Sequence, residues 1–252
     1  MGVTQSNVNQ YQYSQSINRR YWDTKYIYET FQQNGAVSKV GGGASDGTTG
    51  ATNVLVLPTT AFEYFILGTQ TKTAPVITAN GLNLGSGDAT ADDGWELNHG
   101  VLSSQIPSFI IGTDTAFFLR TRFSIDDVSG TDDCAIGFRK VEANQANIDD
   151  YADMAVLNVI SGNIFIETIK GGAATVSTDT TDNWADTKTH ELVVNVSSTG
   201  VVTYTIDGVA PTVTAAYTFT TALNVMPFFY FLQNTDIAAD VPLMVWECGY
   251  QL

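Results

Sequence analysis

The sequence is short of cysteine, of basic residues, of histidine and of long apolar runs, and each shortage removes a class of protein. Two cysteines, Cys134 and Cys248, cannot make the disulfide framework of a small secreted domain, and without a CxxC spacing they read as reduced, buried thiols. Eleven Lys and Arg stand against 26 Asp and Glu, a net charge of −15. A body this acidic repels a phosphate backbone or an anionic bilayer, so neither nucleic acid nor membrane is an expected partner. The longest apolar stretches, such as Val225 to Leu232, fall far short of the roughly 20 residues that cross a bilayer as a helix. Residues 1–15 lack the charged start and apolar centre of a secretory signal. The histidines, His99 and His190, are two, and neither is near a cysteine, so no zinc set is expected. No GxxxxGK[ST] loop occurs, and no cofactor is expected.

What is present is enough apolar material for a sizeable core: 44% of 252 residues are hydrophobic. Charge is unevenly placed. Residues 1–40 carry Arg19, Arg20, Lys25 and Lys39 against Asp23 and Glu29, a net +2, which leaves −17 on the remainder. The same leading stretch is rich in Gln and Asn, interleaved with Tyr11, Tyr13, Tyr21, Trp22, Tyr26, Tyr28 and Phe31. It has aromatic contact area but too few aliphatic side chains for a core, so it is expected to order by lying along a partner or along its own body. Residues 41–52, GGGASDGTTGAT, read as a hinge because glycine accepts any φ. The expected organisation is an extended N-terminal arm over 1–40, a Gly-rich hinge over 41–52, and a body over 53–252.

The body reads as all-β. From Thr115 to Ile125, Phe117, Leu119, Thr121, Phe123 and Ile125 fall on one face, and Phe118, Arg120, Arg122 and Ser124 on the other, the period of a half-buried strand. Similar strands are predicted over 53–57, 62–67, 75–78, 95–98, 108–111, 134–141, 154–160, 163–170, 190–196, 201–207, 226–233 and 243–250. Residues 142–152 are the best candidate for a short helix. Between these runs lie Gly, Asp, Asn, Thr and Ser clusters, and Asp outnumbers Glu 19 to 7, as expected where side chains cap turns. Many short strands with frequent turn signals imply an antiparallel β-sandwich or jelly roll.

The stretch from Thr189 to Pro211, THELVVNVSSTGVVTYTIDGVAP, contains His190, Leu192 and Val194, then Gly200, Val202, Tyr204, Ile206, Asp207 and Gly208. With FFLRTRFSI before it and PLMVWECGY after it, this resembles the laminin-G and concanavalin A-like lectin and glucanase jelly roll. The resemblance covers about residues 110–250 and implies a fold, not an activity. Glucanases of that superfamily use paired carboxylates in an E-x-D-x-x-E pattern, which is absent here. Glu96, Glu167, Glu191 and Glu247 stand alone on predicted strands and are expected to face solvent. Related polysaccharide lyases use a Gln-x-His segment with Arg and Tyr, and neither histidine has a Gln two residues before it. Asp126, Asp127, Asp132, Asp133, Asp149, Asp150 and Asp153 make two acidic loops. Calcium coordination there is the alternative to a solvated, turn-capping rim, which is the expected reading. Trp95, Trp184 and Asn183 are possible sugar contacts; Trp246 is expected in the core.

A cofactor-free β-sandwich of low charge content behind a Gln/Asn/Tyr arm resembles the lectin-like structural proteins of tailed bacteriophages, in particular decoration (cement) proteins. That resemblance implies a non-enzymatic virion protein on the outer capsid surface, made in the host cytoplasm. The arm would hold the major capsid protein, and the chain would be a homo-oligomer, often a trimer. The expected partner-binding residues are Tyr11, Tyr13, Arg19, Arg20, Tyr21, Trp22, Tyr26, Tyr28 and Phe31. A host-recognition protein binding cell-surface glycan is the alternative. Deleting residues 1–40 is expected to leave a folded body.

Overall fold

A computed structural model describes residues 25–31, 38–39, 52–56, 61–68, 76–83, 91–99, 108–234 and 240–251. In chain order its strands are β1 (Ile27–Thr30), β2 (Ser38–Lys39), β3 (Thr52–Val56), β4 (Ala61–Leu67), β5 (Val76–Thr78), β6 (Gly81–Asn83), β7 (Gly94–His99), β8 (Phe109–Ile110), β9 (Phe117–Ser124), β10 (Thr131–Lys140), β11 (Met154–Ile160), β12 (Asn163–Ile169), β13 (Val176–Asn183), β14 (Thr189–Val196), β15 (Val201–Ile206), β16 (Tyr217–Thr218), β17 (Asn224–Gln233) and β18 (Pro242–Tyr250). They form two antiparallel sheets. One has eight strands in the order β16-β15-β14-β9-β18-β6-β5, with β1 also on β18; the other has ten in the order β13-β12-β11-β10-β17-β7-β4-β3-β2, with β8 also on β17.

Period-two alternation decides which side chains meet between the sheets. On β9, Phe117, Leu119 and Phe123 point inward; on β10, Cys134, Ile136 and Phe138; on β17, Val225, Phe229 and Phe231; on β14, Leu192, Val194 and Val196. Trp95, Trp184 and Trp246 are all buried in this layer, so the two tryptophans considered as sugar contacts are core residues. Both cysteines are buried and free, and burial, followed by the Asp133 charge, pushes the Cys134 thiol up. The hairpin that carries the lectin-like pattern is β14 and β15. Its far turn has Asp207 and Gly208 at φ 51° and 80°, the doubly positive geometry that an Asp-Gly pair supplies. The Asp207 carboxylate accepts the Glu191 N–H and lies 2.6 Å from His190 Nδ1, so the motif residues tie the hairpin ends together.

Besides the short strands β2, β6 and β16, which the sequence reading lacks, three features differ from it. Residues 142–152 form no α-helix: they make a loop with one 3-10 turn, Ile148–Asp150, capped by Asn147. β13 carries no strand signal in its sequence, because VSTDTTDN has almost no apolar side chains; as the edge of the ten-stranded sheet it has only one fully covered residue, Thr180. The third concerns the arm. β1 pairs with Val245 to Cys248 of β18, so residues 25–31 are part of the sandwich and the body begins before residue 53. Phe31 is 1% exposed and its ring lies 5.5 Å from that of Phe62. Burying such a side chain contributes about 1.5–3 kcal/mol, so a cut at residue 40 removes core, contrary to the expectation for that deletion.

Candidate functional site

The outer face of the ten-stranded sheet carries the densest polar chemistry among the described residues. Alternation places Glu96 and Asn98 of β7, Phe228, Tyr230 and Leu232 of β17, Asp133, Ala135 and Arg139 of β10, Met154, Val156 and Asn158 of β11, and Glu167 and Ile169 of β12 on this side. The loop after β10 folds over it, and Ile148 and Tyr151 of the loop join a second apolar cluster with Leu67, Ala135, Met154, Val156, Ile169, Phe228 and Tyr230. This cover overturns the solvent-facing reading of Glu96 and Glu167, which are 0% and 7% exposed. Glu247, on the other sheet, is also buried; Tyr26 donates to it at 2.7 Å and Arg120 approaches it at 3.2 Å. Glu191 is half-buried against Arg120 at 3.5 Å.

Two polar arrangements sit under and beside the loop. In the first, Arg139 Nε and Nη2 lie 2.8 and 2.7 Å from Glu96 Oε1. Its Nη1 donates to the carbonyls of Lys140 and Glu142, and its Nη2 to Asn144 Oδ1 at 2.7 Å. The Tyr151 hydroxyl donates to Glu96 Oε2, and the Tyr151 ring lies 4.5 Å from the guanidinium carbon. Burial opposes the Arg139 charge, but Glu96 and Tyr151 outweigh it and the guanidinium pKa rises. Burial, then Glu96, pushes the Tyr151 hydroxyl well up, so it stays a donor. Arg139 and Tyr151 are each 1% exposed. A polymer cannot reach them in this conformation.

The second arrangement is a cleft of about 440 Å³, lined by Asp92, Asp132, Asp133, Ala146, Asn147, Asp149, Ile160, Glu167 and Leu232. Three neighbouring strands build its floor. Asn158 Nδ2 donates to Asp133 Oδ1 at 2.5 Å and to Glu167 Oε2 at 2.8 Å, and its Oδ1 accepts the Cys134 N–H at 2.9 Å. Two carboxylates sharing one amide are brought together by strand pairing, not by spacing along the chain, which is why a search for E-x-D patterns misses them. Desolvation, then the neighbouring Glu167, Asp132 and Asp149 charges, pushes the Asp133 carboxyl up to about 7 against the help of Asn158. Asp132 is raised for the same reasons, burial first and then Asp92 and Asp149.

The acidic loops thus divide. Asp132, Asp133 and Asp149 line the cleft, while Asp127 caps its own turn by accepting from the Ser129 N–H and hydroxyl, and Asp153 accepts the Gly171 N–H. Among the described residues, no three His, Cys, Asp or Glu side chains converge in a geometry that would hold a metal ion. His99 packs edge-on against Phe62 at 5.1 Å and His190 against Trp184 at 4.6 Å, so neither histidine joins Arg139 and Tyr151.

Of the residues expected to bind a partner, Tyr11, Tyr13, Arg19, Arg20, Tyr21 and Trp22 lie outside the described residues. Tyr26 and Phe31 are committed to the body through Glu247 and the core, which corrects their expected role. Tyr28 alone of the three presents a large exposed surface, 44%. Just ahead of β1, Lys25 Nζ lies 2.7 Å from Asp114 Oδ2 and 5.3 Å from the Phe109 ring centre, and Tyr250 donates to the same carboxylate at 2.5 Å. Burial opposes the Asp114 charge, but the Lys25, Tyr250 and Ile110 donors prevail and its pKa falls.

No family model matches the sequence, and no curated protein matches it. Among solved structures, the chain is similar to the carbohydrate recognition domain of Emp46p, with a TM-score of 0.51 and 7% identity over 75% of this chain and 87% of that one. It is also similar to a protein of unknown function from Shewanella oneidensis MR-1, with a TM-score of 0.50 and 14% identity over 98% of this chain and 95% of that one. An alginate lyase from Pseudomonas aeruginosa aligns with a TM-score of 0.46 and 12% identity over 90% and 99% of the two chains. The likeness is one of fold: the chain is an antiparallel, lectin-like jelly-roll β-sandwich of the concanavalin A-like kind.

Proposed function

We propose that this chain is a non-enzymatic surface component of a virion, a decoration protein held on the outside of a tailed-phage head through residues 1–24, with the sandwich outward. The observation that carries the reading is the junction at residues 25–31. Lys25 is clamped by Asp114, β1 is laddered onto β18, and Phe31 is sunk in the core. Whatever residues 1–24 hold, the sandwich is held with it. Arg19, Arg20, Tyr21 and Trp22 are the residue types that anchor interfaces, and the major capsid protein is the partner, met by a trimer of this chain. The acidic body keeps crowded copies apart on a shared surface. The sealing of Arg139 and Tyr151 under the loop, away from both histidines, supports the non-enzymatic part.

A test is co-sedimentation with heads assembled from the major capsid protein of the same genome. Full-length chain should bind saturably. A chain starting at Lys25 should keep its thermal midpoint yet stay in the supernatant, whereas Phe31→Ala should lose about 3–5 kcal/mol of stability. Equal binding by the truncated chain, or none by either form, overturns the proposal. The acidic cleft beside Asp133 favours glycan recognition as the second reading, for which sugar binding without head binding would be the sign.

A further inference from the structure

The loop from Lys140 to Asp153 crosses the sheet as a strap with two unlike fastenings. Both ends are gripped at one node, the first by Arg139, which donates to the Lys140 and Glu142 carbonyls and to Asn144, and the second by the Tyr151 contact with Glu96. Opposite charges meet there and cancel. The middle runs beside the cleft, where Ala146, Asn147 and Asp149 of the strap face Asp133, Glu167 and Leu232 of the sheet. We propose that this strap is a pH-sensitive cover: it lies over the cleft while Asp133 holds a proton, and residues 146–150 lift once Asp133 is ionised.

The groups that face Asp133 come from every element around it. Asp132 is its neighbour on β10, Glu167 comes from β12, Asp149 from the strap, Tyr230 from β17, and Asp92, just before β7, lines the same cleft, while the Asn158 amide of β11 is the donor it shares with Glu167. Both N–H groups of that amide are thereby used, so the floor offers Asp149 nothing, and Asp149 takes the Thr175 hydroxyl at 2.5 Å instead. An ionised Asp133 therefore adds a like charge where its neighbours are already carboxylates. Moving the floor would break ladder bonds on both sides of β10 and β11. Moving residues 146–150 costs less: the Tyr230 hydroxyl on the Ala146 carbonyl, the Thr175 contact, the burial of Ile148 in the outer apolar cluster, and a 3-10 turn too short to persist once Ile148 leaves that cluster.

The sign follows from the raised Asp133 carboxyl, at about 7 in the closed form. Opening rehydrates it and restores an ordinary carboxylate range, so the closed form is favoured at low pH and loses its advantage as pH rises to about 7. Linkage of one proton then allows up to about a tenfold rise in opening per pH unit within that window.

Hydrogen exchange of the full chain from pH 5 to 8, corrected for intrinsic exchange, reads this directly. Amides of residues 146–150 should lose protection steeply up to about pH 7 and then level off, while β11 stays protected. Asp133→Asn keeps the acceptor for Asn158 and should hold protection flat and high across the range. Asp149→Asn should leave the floor intact and make the slope shallower. Protection in the wild type that ignores pH, or an undiminished slope in Asp133→Asn, overturns the proposal. Should Asp133→Asn fail to fold, an unchanged slope in Asp149→Asn overturns it equally.

Discussion

The same sheet face carries two polar clusters, one sealed and one beside a cleft, that differ above all in charge balance. Around Arg139, the guanidinium meets the Glu96 carboxylate, carbonyls, an amide and two aromatic faces, so the cost of desolvation is offset by bonds aimed at the charge. Around Asp133, carboxylates meet carboxylates, and Asn158 is the neutral donor that holds two of them together. A sealed pair of opposite charges thus makes a fixed node, and partly buried like charges beside a cleft make a titratable one. A cation raises the value of every acceptor near it, whereas a lone amide can be divided only so far.

The largest effect should come from breaking the balanced node. Arg139→Ala leaves Glu96 buried without its counter-charge and should cost about 3–5 kcal/mol in urea unfolding. Replacing Arg139 and Glu96 together with Met and Leu should recover most of that loss. If the single variant costs no more than the double, the node is not held by charge.

Removing the unbalanced charge should do the reverse, and only at high pH. A carboxyl raised in the folded state stabilises the fold fully below about pH 4, and that contribution fades as pH climbs to about 7. Asp133→Asn should therefore match the wild type near pH 4 and exceed it above pH 7 by up to about 4 kcal/mol, a shift of some three pH units converted at 1.36 kcal/mol each. Thermal midpoints of both proteins across pH would show the curves diverge, and parallel curves would place the titration elsewhere. Smaller again is Asn158→Ala, which deprives two carboxylates and the Cys134 N–H of their partner. It should cost about 1–3 kcal/mol, more at pH 8 than at pH 5.

Sequence periodicity was most informative where one side of a strand is apolar. β11 is found at its expected bounds, Met154–Ile160, and β9, β14 and β18 within two residues of theirs, because alternation and core burial are the same fact seen twice. It failed at β13, a polar edge strand, and at β1, whose pairing with β18 joins residues more than 200 apart. It failed also on the outer face of the ten-stranded sheet. There Glu96 and Glu167 occupy positions that alternation assigns to water, and only the strap folding back over them makes them buried. Asp132, Asp133 and Asp149 could be named as an acidic cluster, but Glu167, Asp92 and Asn158 could not be joined to them.

By itself, then, the sequence determined an all-β sandwich, its inward faces, the lectin-like hairpin with its Asp-Gly turn, and an acidic body behind a Gln, Asn and Tyr-rich leading segment. Each of these depends on neighbours in the chain or on a repeat of two residues, which composition and order contain. The tertiary structure alone decided that residues 25–31 belong to the body, that Arg139 is sealed, and that Asp133 and Glu167 share one amide. Those outcomes depend on which strands become neighbours and on where a loop comes to rest, and long-range pairing of that kind leaves no local periodicity to read.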